Sequence, residues 1–416
     1  MSALLLAALF AQASEPPKAR RTEFGILPAF ALNSDVGVGV GFVANAARFD
    51  PNYDPYRVRV FGRFFLFVRE SPEGPPEVAL HAHVLRFELP GLANGRLRVD
   101  WEVRIRRNSI AGYSGYGNAS VHARPWEEVD REVDPDGYAR VRRRNWHDRW
   151  FPALRSSFRG SLAPQLQLYG TVDATYNRIA VYPDSRLADD LEGASGGWVR
   201  DHLFGLQPHV KFNVEVGLLY DGRDSEHDPT VGVRLEGAVR GGGGVGPEVT
   251  ARDPVSSGGA FCDVRGFVPI AGDSLVLGVH AAADLLFGAV PLYELSSTGG
   301  LQPIAPFGGG RSIRGAPPER WHGKIKLIAN VELRSTFLRF AIRDQRFRVG
   351  ALLFADVGRV WADYRPRPRL DGEGPGLKLG LGGGLRIRWG ETFVLRIDGA
   401  WSPGNAALYF DVGHVF

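Results

Sequence analysis

Between residues 97 and 106 the chain alternates without a break. Leu97, Val99, Trp101, Val103 and Ile105 fall on one side, and Arg98, Asp100, Glu102, Arg104 and Arg106 on the other. A period of two is the signature of a strand. This one is apolar on one face, charged on the other, and about as long as a tilted membrane strand needs to be. In a sandwich the charged face would meet bulk water; in a barrel it would meet a lumen. Periodicity alone does not separate the two.

The rest of the chain narrows the choice. No segment after the first 13 residues offers the roughly 18 uninterrupted apolar residues of a helical span, so a membrane protein of this sequence has to be a closed barrel, which satisfies every backbone group within its own wall. A 416-residue chain with 53 glycines and 11% aromatics suits one large all-β unit. The net charge of +4 is spread along the strands rather than clustered, which gives no reading of a nucleic-acid partner. Cys262 is the only cysteine, which excludes an intrachain disulfide. Residues 4–10 are an apolar run followed by Ala11-Gln12-Ala13, the pattern of a cleavable signal peptide over 1–13, with a short periplasmic segment over 14–22.

From residue 23 to 416 the alternation predicts about sixteen strands, including one over 138–162 and a last one over 406–416. Connections after strands five, seven, nine, eleven and thirteen are long, and those after four, ten, twelve and fourteen are short. Such asymmetry is expected when one barrel end faces the periplasm. The last strand puts Leu408, Phe410, Val412 and Phe416 on one face, and a terminal aromatic there resembles the C-terminal insertion signal of outer-membrane barrels.

The stretch from 307 to 361 carries the most chemistry. A glycine-rich loop presents Ile313-Arg314-Gly315, and two strands follow. One sets Lys326, Asn330, Glu332 and Arg334 opposite its aliphatic residues, the other Phe354 and Asp356. Both carboxylates look into one polar interior, where an arginine folded inward can pair with them.

These residues resemble the BamA/TamA-type outer-membrane insertase superfamily, the bacterial surface antigen family. Its sixth extracellular loop carries a Val/Ile-Arg-Gly-Phe/Tyr motif, here Ile313-Arg314-Gly315-Ala316, departing at the fourth position. The resemblance implies that Arg314 reaches a strand-twelve glutamate, Glu332, and a strand-thirteen Phe-x-Asp, Phe354 and Asp356, so that residues 307–323 plug the lumen. It also matches Asp221, Arg223 and Asp224 to the family's strand-eight turn. It is good from about residue 214 onward and only topological before that. No periodic segment precedes the barrel, so the periplasmic POTRA domains of the best-known relatives are not expected.

The resulting expectation is a single transmembrane antiparallel β-barrel of about sixteen strands in the outer membrane, non-enzymatic and without cofactor or metal. It would act in outer-membrane protein insertion, polypeptide translocation or envelope assembly. Expected contacts are outer-membrane lipid, lipopolysaccharide and a separate periplasmic or envelope assembly partner. A passive diffusion pore is the alternative reading, and a barrel-embedded surface enzyme the third. Gly37, Gly39 and Gly41, close to the closing strands, predict a weak seam, since glycine weakens a strand.

Four weaker signals carry less. His81 and His83 share a strand face but lack a third ligand. Gly112-Tyr113-Ser114-Gly115-Tyr116 only approaches a nucleophile elbow. Asp221, Asp224, Glu226 and Asp228 lack the spacing of a calcium loop. No glycine run carries the Lys-Ser/Thr of a phosphate loop.

Overall fold

The structure is a computed structural model of the chain, described for residues 20–33, 36–51, 53, 56–71, 74–342, 345–390 and 393–416. Residues 1–13, where a signal peptide is expected, and residues 14–19 of the expected short segment behind it lie outside the described residues.

Eighteen strand segments form one antiparallel sheet. Two pairs of segments are single wall strands interrupted by a break. Trp146–Trp150 and Ala153–Ala163 both pair with the same two neighbours, and Ile325–Ser335 and Leu338–Ile342 both pair with the strand that follows. Eighteen segments less these two breaks leave sixteen wall strands.

In chain order the first eight are β1 (Arg21–Asn33), β2 (Gly37–Phe49), β3 (Val58–Glu70), β4 (Pro76–Gly91), β5 (Leu97–Gly112), β6 (Trp146–Trp150 with Ala153–Ala163), β7 (Leu166–Val181) and β8 (His209–Asp221). The second eight are β9 (Gly232–Val245), β10 (Ser256–Pro269), β11 (Leu275–Ala289), β12 (Ile325–Ser335 with Leu338–Ile342), β13 (Gln345–Trp361), β14 (Lys378–Trp389), β15 (Phe393–Ser402) and β16 (Asn405–Val412). Every consecutive pair from β1 to β16 is hydrogen-bonded. β1 also lies beside β16, closing the ring, yet no ladder joins those two among the described residues.

The distribution of polarity decides between sandwich and barrel. On β8, Phe212, Val214, Val216 and Leu218 are each about half exposed, while Lys211 and Glu215 on the opposite face are buried. On β12, Leu327 and Val331 are exposed while Lys326, Asn330, Glu332 and Arg334 are buried. Apolar residues outside and charges inside invert a water-soluble protein, and only a lipid-facing wall around a polar lumen accounts for it. The charged row of β5 accordingly faces inward and Trp101, Val103 and Ile105 outward.

Two expectations are corrected. The sixth strand does not begin at residue 138: Pro135–Arg142 is a helix, α1, and the strand starts at Trp146. Pro135 in the first turn, with the Asp134 side chain accepting from the Gly137 amide at 2.8 Å, starts a helix where apolar residues alone suggest a strand. The last strand ends at Val412, and Phe416 is not on its outer face. Residues beyond Gly413, which has φ +90°, leave the wall, and Phe416 is buried inside against Phe267 and Val276. His280 stacks on its ring at 5.1 Å, and Arg334 donates to its carbonyl at 3.0 Å. Phe410 remains on β16, partly exposed.

The long loops fold over one end of the ring. Tyr113, Tyr116, Leu187, Val199, Leu292 and Leu295, drawn from three of them, form an apolar cap. The short helix α2 (Arg186–Glu192) sits within it, its Asp190 accepting from the Tyr113 hydroxyl at 2.8 Å.

Candidate functional site: an arginine-locked plug

The loop between β11 and β12, residues 290–324, turns down into the ring. Its descent needs glycine at particular points. Gly308, Gly309 and Gly315 hold φ of +91°, +86° and +90°, the left-handed region that side-chain-bearing residues avoid. The wall makes room as well: a Cβ on Gly380 of β14 would stand 2.3 Å from the Arg314 carbonyl oxygen. Phe307, Ile313, Ala316 and Trp321 bury themselves against Tyr169, Leu219, Phe261 and Val360 of the wall. Ala316, where the motif departs from an aromatic, is itself 1% exposed within this cluster.

At the tip Arg314 is fully buried. Its Nε and Nη2 donate to Asp356 Oδ2 and Oδ1, both at 2.7 Å, and its Nη1 donates to Glu332 Oε1 at 2.6 Å. The backbone amide of Arg314 adds a further bond to Asp356 Oδ2 at 3.0 Å. Its guanidinium lies 3.5 Å from the centre of the Phe354 ring. The register explains the convergence, because Glu332 stands opposite Phe354 and Asn330 opposite Asp356 across the β12–β13 ladder. Asn330 then bridges, donating to Asp356 and to the Ser312 carbonyl at 2.8 Å each.

The planar fork matched to one carboxylate, the cation over an aromatic face and a second carboxylate together satisfy a charge that could not otherwise leave water. Desolvation offsets much of the Coulombic gain of such a buried pair. The arrangement therefore fixes position more than it adds stability. Ile313 and Gly315 flank it, Gly315 donating its amide to the Tyr409 hydroxyl at 3.1 Å and accepting from Asn405 at 2.7 Å. Arg396 of β15 donates to the Gly310 carbonyl at 3.0 Å, and Arg311 pairs with Asp411 of β16 at 3.2 Å. The plug is thus tied to the last hairpin as well as to β12 and β13.

The turn after β8 closes the opposite end, which the sequence did not reveal. Arg223 holds Asp221 bidentately at 2.8 Å on both arms, and Asp224 accepts from the Thr230 and Val231 amides at 2.9 and 3.2 Å. Beyond them Glu226 reaches Arg98 on β5 at 3.2 Å, while Asp228 meets Arg388, His414 and Arg348 at 2.7, 3.0 and 3.1 Å. Those partners lie on distant parts of the ring, so the turn bridges the lumen as a floor. Asp221, Glu226 and Asp228 are thus occupied by cations of the chain, and Asp224 by backbone amides and the Thr230 hydroxyl. Burial would raise Asp228, but its hydrogen bond with His414 and the nearby Arg388 and Arg348 guanidinium groups hold it well below the usual carboxylate range. Asp228→Asn is expected to loosen the floor, lowering the temperature of heat-modifiable gel migration by several degrees; an unchanged temperature contradicts the bridge.

Gly37, Gly39 and Gly41 lie on β2, one strand in from the seam, with Gly39 and Gly41 opposite Phe67 and Phe65. A Cβ on Gly41 would stand 1.9 Å from the Phe64 carbonyl oxygen, so close strand packing requires glycine there. Within β1 itself Pro28 removes a backbone donor.

His81 and His83 face each other edge to face with ring centres 6.0 Å apart, and no group of three potential metal ligands occurs among the described residues. Ser114 Oγ does meet His122 Nδ1 at 2.8 Å, a pair the sequence did not suggest. Burial, with Arg320, Arg124 and Arg142 nearby, pushes the His122 imidazole down to about 3, far from the range of a useful general base.

One plug residue titrates near neutrality. Burial pushes Glu319 up to about 7, against the opposing pull of Arg149 and the Gly112 amide. An acid whose seated pKa lies above its free value favours the seated plug below the free value of 4.5 and loses that contribution as pH rises through about 7. Plug opening, read as current events in planar bilayers, is expected to be several-fold more frequent at pH 8 than at pH 5, and Glu319→Gln to abolish the difference.

Residues 165–416 match the Omp85 superfamily domain. No curated protein is similar enough in sequence to match the chain. Among solved structures, BamA from Haemophilus ducreyi lacking POTRA domains 1-3 superposes with a TM-score of 0.52 at 14% identity, over 94% of this chain and 70% of that one. CdiB from Escherichia coli superposes with a TM-score of 0.54 at 12% identity, over 95% and 68% respectively. At such identities the two structures speak for the fold alone. The family match, the sixteen-strand wall and the inward loop agree, and this chain belongs to the Omp85 superfamily of outer-membrane β-barrels.

Proposed function

We propose that this barrel handles polypeptides at the outer membrane, inserting or translocating them without chemical catalysis, and that the locked plug is its gate. The observation that carries the reading is the bonding of Arg314 to Glu332 and Asp356 inside the lumen, which keeps residues 307–323 seated. A plugged ring is a poor diffusion pore. The same plug grips β16, whose junction with β1 has no ladder among the described residues, so plug and seam are mechanically joined. Lipid, lipopolysaccharide and a separate periplasmic partner are the contacts such a role needs.

The test is the wild-type barrel in planar bilayers, compared with a form cross-linked through one engineered cysteine on β1 and one on β16 in a Cys262→Ser background. Wild type is expected to pass only brief currents, and the cross-link to abolish its function in cells while leaving those currents intact. A large steady wild-type current, or full function with the seam sealed, contradicts the proposal. The second reading, a diffusion pore, draws on the charged inner face of β3–β6, where Arg63, Arg86 and Arg104 retain 24%, 43% and 22% side-chain exposure.

A further inference from the structure

At the long-loop end a cleft of about 580 Å³ opens between the β5–β6 loop, the plug, the start of β14 and the β15–β16 turn. Arg124, Arg320, Lys378 and His122 line it, with no aspartate or glutamate among the lining residues. Several arginines inside the barrel differ: Arg234, Arg240, Arg314 and Arg386 each meet a carboxylate within 3 Å. In the cleft Arg320 donates to Ser120 Oγ at 2.9 Å and to the Ser120 carbonyl, and neither is charged. Lys378 stands 5.6 Å from the Trp321 ring centre and has no carboxylate partner among the described residues. Only Arg124 has an acid at hand, Glu127, at 3.2 Å on the exposed rim. Burial without a compensating carboxylate lowers Arg320 to about 10. Trp321, another lining residue, is 5% exposed, and its Nε1 has no acceptor among the described residues. A buried donor without a partner costs about 1–3 kcal/mol, and beside Arg320 and Lys378, two cations without a carboxylate, it offers a place for an acceptor anion.

The other lining residues describe what the anion is attached to. Leu379 alternates with the inward Lys378 and so falls on the outer face of β14, and Leu377, just before the strand, is 63% exposed. The cleft thus straddles the rim, cationic within and apolar where it meets the membrane.

We propose that this cleft binds the phosphate group of an anionic amphiphile from the outer leaflet, with Arg320 and Lys378 on the phosphate, Trp321 Nε1 donating to it, and Leu377 and Leu379 against the apolar part. Because Arg320 and Trp321 belong to the plug while Lys378 and Asn405 belong to the wall and last hairpin, an occupant pins the plug to the rim. This goes beyond the polypeptide role and does not depend on it.

The experiment uses the full barrel in detergent micelles with diphosphoryl lipid A, phosphatidylcholine, inorganic phosphate and an oligoglutamate peptide as separate probes, read by native mass spectrometry. Lipid A is expected to bind wild type and phosphatidylcholine not to. Arg320→Gln with Lys378→Gln should weaken lipid A binding at least tenfold, while Arg320→Lys retains most of it. Heat-modifiable migration of each variant confirms the fold, so a loss of binding is not a loss of structure. Lipid A binding equal in wild type and the double variant overturns the proposal. So does inorganic phosphate binding as tightly as lipid A, which makes the site one for free anions, or oligoglutamate binding more tightly, which makes it one for acidic polypeptide.

Discussion

Arg314→Ala converts the barrel from a closed to a conducting ring. The substitution leaves the fully buried Asp356 without its cation and the fully buried Glu332 with Arg334 alone, at 2.8 Å, while Asp398 is a further carboxylate 3.7 Å from the site Arg314 occupied. Removing one partner of a buried ion pair costs about 3–5 kcal/mol, which at about 1.4 kcal/mol per decade is a shift of two to three and a half decades in the seated-plug equilibrium. A large sustained current in planar bilayers and rapid proteolysis within residues 307–323 are therefore expected. Arg314→Lys is expected to recover little, because one ammonium cannot reproduce the forked contact with Asp356 and the contact with Glu332 together. If the alanine variant stays closed and protease-resistant, the lock is not what seats the plug.

Gly380→Ala is expected to produce the same phenotype without touching a charge. Its new methyl would stand 2.3 Å from the Arg314 carbonyl oxygen, a backbone atom that cannot rotate away. Overpacking of this kind costs about 1–3 kcal/mol, so the current should be smaller than that of Arg314→Ala but clearly above wild type. Gly399→Ala serves as the control, since a Cβ there finds only the Gly383 carbonyl oxygen at an ordinary 4.0 Å. Conductance raised equally by both glycine substitutions would point to general loosening of the wall rather than to expulsion of the plug.

The wall was legible in the sequence because a strand with lipid on one side and water on the other is forced into strict alternation. The sixteen-strand count follows from this, and so do the inward faces of β12 and β13. The lock could be read because Arg314, Glu332 and Asp356 sit in a motif whose partners lie on adjacent strands. What the turn after β8 touches could not be read, since Glu226 and Asp228 find their cations on β5, β13 and β14, and no local pattern encodes a distance across a ring. The helix at Pro135–Arg142 was hidden because its apolar residues suit a strand and only its cap tells otherwise. Phe416 was misplaced for a related reason. Its spacing continues the outer face of β16, but a bend at Gly413 carries it inside, where Arg334 and His280 receive it.

That bend leaves the two closing strands unequal, with 13 residues in β1 and 8 in β16. The difference of five, at about 3.3 Å each, amounts to roughly 16 Å of β1 edge with no counterpart in length. Peptide groups along such a hem cannot stay dry in hydrocarbon. The bilayer beside it is expected to thin or admit water, giving a lopsided lipid annulus whose shallowest and wettest sector lies where the two ends of the wall meet.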